Sequence, residues 1–171
     1  MTAPPVAAPF LAATVVLGAA GLAKLWRPAD TARALHAAGW RIGWGTVRLG
    51  ALAEVVVCAA ALTAPGAVTG ALVSVSYAGF AMFVITAVWR GWPLSSCGCF
   101  GRPDSEPGHH HAALDLGACA AAGWWAASAP RDLGSLFVHQ PWHGLPLALM
   151  SLVIAGLACL VWTNPLAREV A

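Results

Sequence analysis

Charge is what this sequence has least of: 9 Lys and Arg and 7 Asp and Glu among 171 residues. A soluble domain devotes roughly a quarter of its residues to charged side chains, because its surface must face water. At 9% charged this chain cannot cover a globular surface, whereas a surface that faces lipid needs no charge. The net charge of +2 is too small for nucleic-acid binding, and no basic stripe with interleaved aromatics occurs. Internal repeats and low-complexity linkers are also missing, so the chain reads as one domain over 1–171. The first apolar run has no basic segment before it and continues into Lys24 and Trp26. A signal peptide would have that basic segment and would end at small residues, so the run reads as a retained helix.

What the sequence has is apolar residues, 59% of the chain, with a mean hydropathy of +0.72. A helix that crosses the hydrocarbon core needs about 20 mostly apolar residues. Five stretches qualify: 6–25, 45–64, 67–89, 110–127 and 143–163. Gly, Ala and Ser recur inside them, which lets membrane helices approach closely. The expectation is an all-α, polytopic membrane bundle: a four-helix core plus a fifth, C-terminal transmembrane helix, with the lipid bilayer as its first partner.

The connections differ. The first, 27–44, is long and basic, and Pro28 opens a stretch (29–38) that reads as a short interfacial helix. The second is a tight Ala64-Pro65-Gly66 turn, and the third, 90–109, is rich in Gly, Pro and Cys. Lys24, Arg27, Arg33, Arg41, Arg48, Arg90 and Arg102 cluster at the first and third connections, and Arg131 falls on the other side. By the positive-inside rule the protein sits in the cell (cytoplasmic) membrane with its N-terminus outside and the third connection cytoplasmic. Whatever the orientation, alternating spans put the first and third connections on one side. Trp26, Trp40, Trp44, Trp89 and Trp92 then form an aromatic belt at that face.

The third connection contains Ser96-Cys97-Gly98-Cys99-Phe100-Gly101. Two thiols separated by one Gly can reach disulfide geometry, the Gly relaxing the backbone that must bend. So small a ring is strained, and strained or exposed disulfides are the labile, catalytic ones. Exchange needs a thiolate, an accessible sulfur and a partner thiol, and Arg90 and Arg102 supply a cationic neighbourhood. A pair of reduced surface thiols and a two-thiol metal clamp are the alternatives.

The Cys97-Gly98-Cys99-Phe100-Gly101 run, Gly21-Leu22-Ala23-Lys24-Leu25 at the end of the first helix and Glu54 inside the second together resemble the MauE branch of the MauE/DoxX family of redox-associated membrane proteins. The resemblance covers roughly the first four spans. It implies a four-helix membrane bundle with a thiol–disulfide or electron-relay role, Cys97 and Cys99 standing at the motif positions. It also implies a partner with a thioredoxin fold, or client-protein thiols, and chemistry on the extracytoplasmic side, opposite to the charge count. The sequence departs from the family pattern in its fifth helix and in a triple histidine, His109-His110-His111.

Imidazole is a common metal ligand and a ready proton carrier. Three consecutive His point about 100° apart on a helix, so they cannot all face one metal, and the spacing matches no standard zinc pattern. A helix-opening cluster is the plain reading, with His111 the member placed to sit over the thiols and carry protons. Ionisable groups within spans are costly and functional by default: Glu54 is expected to pair with Lys24 or Arg48 across helices, with Asp115 capping or lining the same pocket. Cys58, Cys119 and Cys159 read as small buried hydrophobes, Tyr77 as packing, and the nine Trp mostly as interface anchors. The function expected is that of a membrane thiol–disulfide oxidoreductase or electron relay, catalytic at Cys97, Cys99 and His111 and supported by Lys24, Arg48, Glu54 and Asp115. Its electron acceptor is open, a bound quinone or metal ion being conceivable. The alternatives are a metal-binding or metal-delivery protein with Cys97, Cys99 and His109–His111 as ligands, and a non-catalytic assembly factor.

Overall fold

A computed structural model describes residues 6–92, 108–128 and 145–163. Six helices make up the described chain: α1 (Ala7–Trp26), α2 (Pro28–Ala37), α3 (Trp44–Thr63), α4 (Ala67–Arg90), α5 (His109–Ser128) and α6 (Leu145–Thr163). The protein is a helical membrane bundle. α1, α3 and α4 are long and apolar enough to cross a membrane; at 1.5 Å per residue each is about 30 Å long or more. α5 and α6 occupy the positions of the other two expected spans. Three His and one Asp make α5 the less apolar of the pair.

Local chemistry sets the boundaries. α1 stops at Arg27, whose backbone is pushed out of the helical region (φ −127°, ψ 64°) because Pro28 follows. Pro28 then opens α2 at the position where its missing N–H costs nothing. α2 stands where the interfacial helix is expected: Asp30 and Arg33 pair, and Ala32 and Ala34 are buried. It ends at Gly39, whose φ of +88° is strained for any residue with a Cβ. The Gly39 N–H donates to the His36 carbonyl (2.9 Å) and the Trp40 N–H to the Leu35 carbonyl (2.9 Å), the Schellman pattern. α4 ends the same way: Gly91 has φ +59°, and the Trp92 N–H donates to the Ala87 carbonyl (3.0 Å). α2 and α4 thus each end in a Gly-Trp pair whose Trp N–H bonds back to the last turn of its own helix.

α1 is the axis. It packs on α3, α5 and α6 and touches α2 and α4. α3 and α4 turn Leu49, Val56, Val68, Val75 and Met82 outward, as lipid-facing helices do. Tight approach relies on small residues. A Cβ on Gly18 would lie 2.5 Å from Cys58 Sγ, and one on Gly21 2.9 Å from the Ala51 carbonyl. Gly70 of α4 meets Trp125 and the α5 backbone in the same way. The main core surrounds the first half of α1, where Phe10 stacks on Trp125 with ring centroids 4.6 Å apart and planes 3° from parallel. The Tyr77 hydroxyl donates to the Ala13 carbonyl at 2.7 Å, so this residue both packs and pins α4 to α1. α6 joins the bundle, with Ala155 in the core and Ile154, Ala158 and Cys159 against it.

Candidate functional site

Lys24 lies one residue short of the last two positions of α1, where a snorkelling side chain would reach the headgroups. It turns inward instead and is 4% exposed. A helical side chain leans towards its own N-terminus, which for Lys24 means deeper into the bundle. Glu54 leans towards the start of antiparallel α3, and the two meet. Lys24 Nζ donates to Glu54 Oε1 at 2.6 Å and to Oε2 at 2.8 Å, and it stands 4.4 Å over the Phe80 ring. The approach of α1 to α3 at Gly18 and Gly21 sets this register, because Gly21 and Lys24 are neighbours on one helix face.

A cavity of about 590 Å³ borders the pair, lined by residues of α1–α4 and of the turn after α2. One wall is aromatic: Phe80, Phe83, Trp40 and Trp92. Phe83 is the middle ring, 6.2 Å from Trp40 and 5.9 Å from Trp92. Thr31, Thr46 and Thr86 add hydroxyls. Trp40 and Trp92 are therefore cavity walls as well as interface residues. The sequence signal was the Gly-Trp pair after α2 and after α4, whose two indoles both meet Phe83 of α4.

Of the other expected site residues, none of those described lines the cavity. Arg48 is exposed; six residues from Glu54, it falls well around the helix from it. Asp115 is buried (1% exposed) on α5, which packs chiefly on α4 and α1, and it is not among the cavity's lining residues. It shares a face of α5 with His111, four residues earlier and also fully buried. His111 Nδ1 accepts the Gly108 N–H at 3.2 Å, which puts the proton of a neutral ring on Nε2. The His110 and His111 rings lie 4.0 Å apart, while His109 is exposed. Cys97 and Cys99 lie outside the described residues. Cys58, Cys119 and Cys159 are half-buried, and the Ser74 hydroxyl donates to the Cys119 carbonyl at 2.9 Å. Among the described residues no three His, Cys, Asp or Glu group together as metal ligands would.

Apolar helices around the buried Lys24–Glu54 ion pair, with an aromatic cavity at the end where α1 and α4 finish, define an integral membrane protein. Residues 2–128, which take in α1 to α5, match the family model described as Methylamine utilisation protein MauE. The chain belongs to the MauE family. No curated protein and no solved structure matches it.

Proposed function

We propose that this MauE-family protein is a membrane thiol–disulfide relay. Cys97 and Cys99 cycle between dithiol and disulfide by exchange with a thioredoxin-fold partner or with client-protein thiols. A thiolate of one molecule attacks the disulfide of the other, a mixed disulfide forms, and the second thiol resolves it. Two electrons and two protons pass in each cycle. Family membership together with a Cys-Gly-Cys run in the α4–α5 connection carries this reading. His111 is proposed to shuttle protons for the thiols, and the Lys24–Glu54 pair to provide polar support at the same end of the bundle. The charge distribution favours a cytoplasmic position for that connection in the cell membrane.

Differential thiol trapping in intact cells tests the reading. Wild type should show a two-thiol shift only after prior reduction, and Cys97→Ser should abolish it. A membrane-impermeant reagent then reports the side. Thiols that stay reduced and resist labelling until a chelator is added would overturn the relay in favour of a metal site. A normal cellular phenotype with both cysteines changed to Ser would favour an assembly role.

A further inference from the structure

The cavity beside Lys24 and Glu54 is far larger than the ion pair requires, and three of its features specify an occupant. The first is charge. Among the described residues, the ionic groups in its wall are the Lys24 ammonium and the Glu54 carboxylate, bonded to each other at 2.6 and 2.8 Å. A phosphate or carboxylate head would need a cation that no anion already neutralises, so the site suits a neutral molecule. The second is hydrogen bonding. An ammonium has three N–H groups; two of the bonds Lys24 makes go to Glu54, and the ammonium otherwise faces the Phe80 ring at 4.4 Å, a weaker acceptor than the carbonyl oxygen of a ring seated in the cavity. The third is shape and access. The wall formed by Trp40, Phe83 and Trp92 accepts a flat ring by stacking. The rim includes Met82, 67% exposed on the lipid-facing side of α4. Gly50 of α3 and Gly79 of α4 line the cavity with nothing within 4 Å of an added Cβ, which leaves a path between these helices from the bilayer.

We propose that this cavity binds the ring of a lipid-soluble isoprenoid quinone, one carbonyl accepting a hydrogen bond from Lys24. Binding stands on the cavity alone. The role of the quinone as electron acceptor rests on the relay proposed above: two S–H bonds break, one S–S bond forms, and two electrons and two protons pass to the two carbonyl oxygens, giving the quinol. Trp92, in the cavity wall, precedes Cys97 by five positions in the chain.

The full-length protein in lipid nanodiscs is titrated with a decyl-substituted benzoquinone while tryptophan fluorescence is followed, Trp40 and Trp92 being the reporters nearest the site. Saturable quenching is expected for wild type and equally for Cys97→Ser/Cys99→Ser. Gly79→Leu, which meets no atom at its Cβ, should keep the thermal midpoint and weaken binding roughly tenfold or more by occupying the site. Wild type without saturable quenching, or equal affinity in wild type, Gly50→Leu and Gly79→Leu, would overturn the site. A phospholipid that displaces the quinone stoichiometrically would overturn the choice of ligand. Quinone that binds to dithiol protein without becoming quinol would leave the site standing and overturn its role as acceptor.

Discussion

The two ends of α1 are packed by opposite rules. Near its start the bundle is closed: Phe10, Leu17, Tyr77 and Trp125 are all at most 2% exposed, ring stacking and the Tyr77–Ala13 hydrogen bond join the helices, and the gap against α4, α5 and α6 is about 210 Å³. Near its finish, helices that approach as closely, at Gly18 and Gly21, hold a buried ion pair beside a much larger cavity. In a bilayer, burial of apolar surface between helices supplies little driving force, since lipid tails are as apolar as Leu. The closed end holds through dispersion and shape. The open end forgoes that packing for a charged pair, and buried pairs rarely add stability over a well-packed apolar replacement. Such a trade points to function at the open end.

Substitutions can break or sharpen this contrast. The largest effect is expected from Lys24→Met, which leaves the Glu54 carboxylate buried without its partner: about 3–5 kcal/mol of stability lost, read by reversible unfolding in mixed micelles. The double variant Lys24→Met/Glu54→Met should recover most of that loss, which would show that the pair itself is not what holds the bundle. Next is Trp125→Ala at the closed end. It removes the partner of Phe10 and should cost about 3 kcal/mol, at the lower edge for large aromatic truncations because the transfer term is small in lipid. Gly39→Ala places a Cβ on a left-handed residue and should cost about 1–2 kcal/mol; because Trp40 follows it, the same change should loosen the cavity wall, seen as a red shift in tryptophan emission. The smallest is Tyr77→Phe, which deletes the hydroxyl bonded to Ala13 and should cost about 0.6 kcal/mol, the usual size of such a bond in a membrane bundle.

Helix positions were legible in the sequence because lipid imposes a length and a composition on any span. The five apolar runs each fall on a helix, and Pro28 marks the break between α1 and α2. Glu54 stood out because a carboxylate within a span needs a partner. What the sequence left open was the choice between Lys24 and Arg48. That choice depends on how closely α1 approaches α3 and on the lean of each side chain, and neither is written in the spacing of one helix. Asp115 was grouped with Glu54 from topology, since both lie near the same end; α5 instead packs on α4 and α1, leaving Asp115 beside His111. The cavity was not foreseen, because it is formed by two Gly-Trp helix endings that read as interface anchors when taken singly. The Cys97–Cys99 pair remains a reading of sequence and family.

The most direct test of the claim that one end holds the fold and the other carries the function is the rate of thiol–disulfide turnover in Lys24→Met/Glu54→Met, measured beside its unfolding free energy. The account predicts a protein about as stable as wild type whose turnover is slowed roughly tenfold or more, the cost of about 1.4 kcal/mol or more in the barrier. Wild-type turnover in an equally stable double variant would contradict it, and would reduce the ion pair to a device that sets the register of α1 on α3.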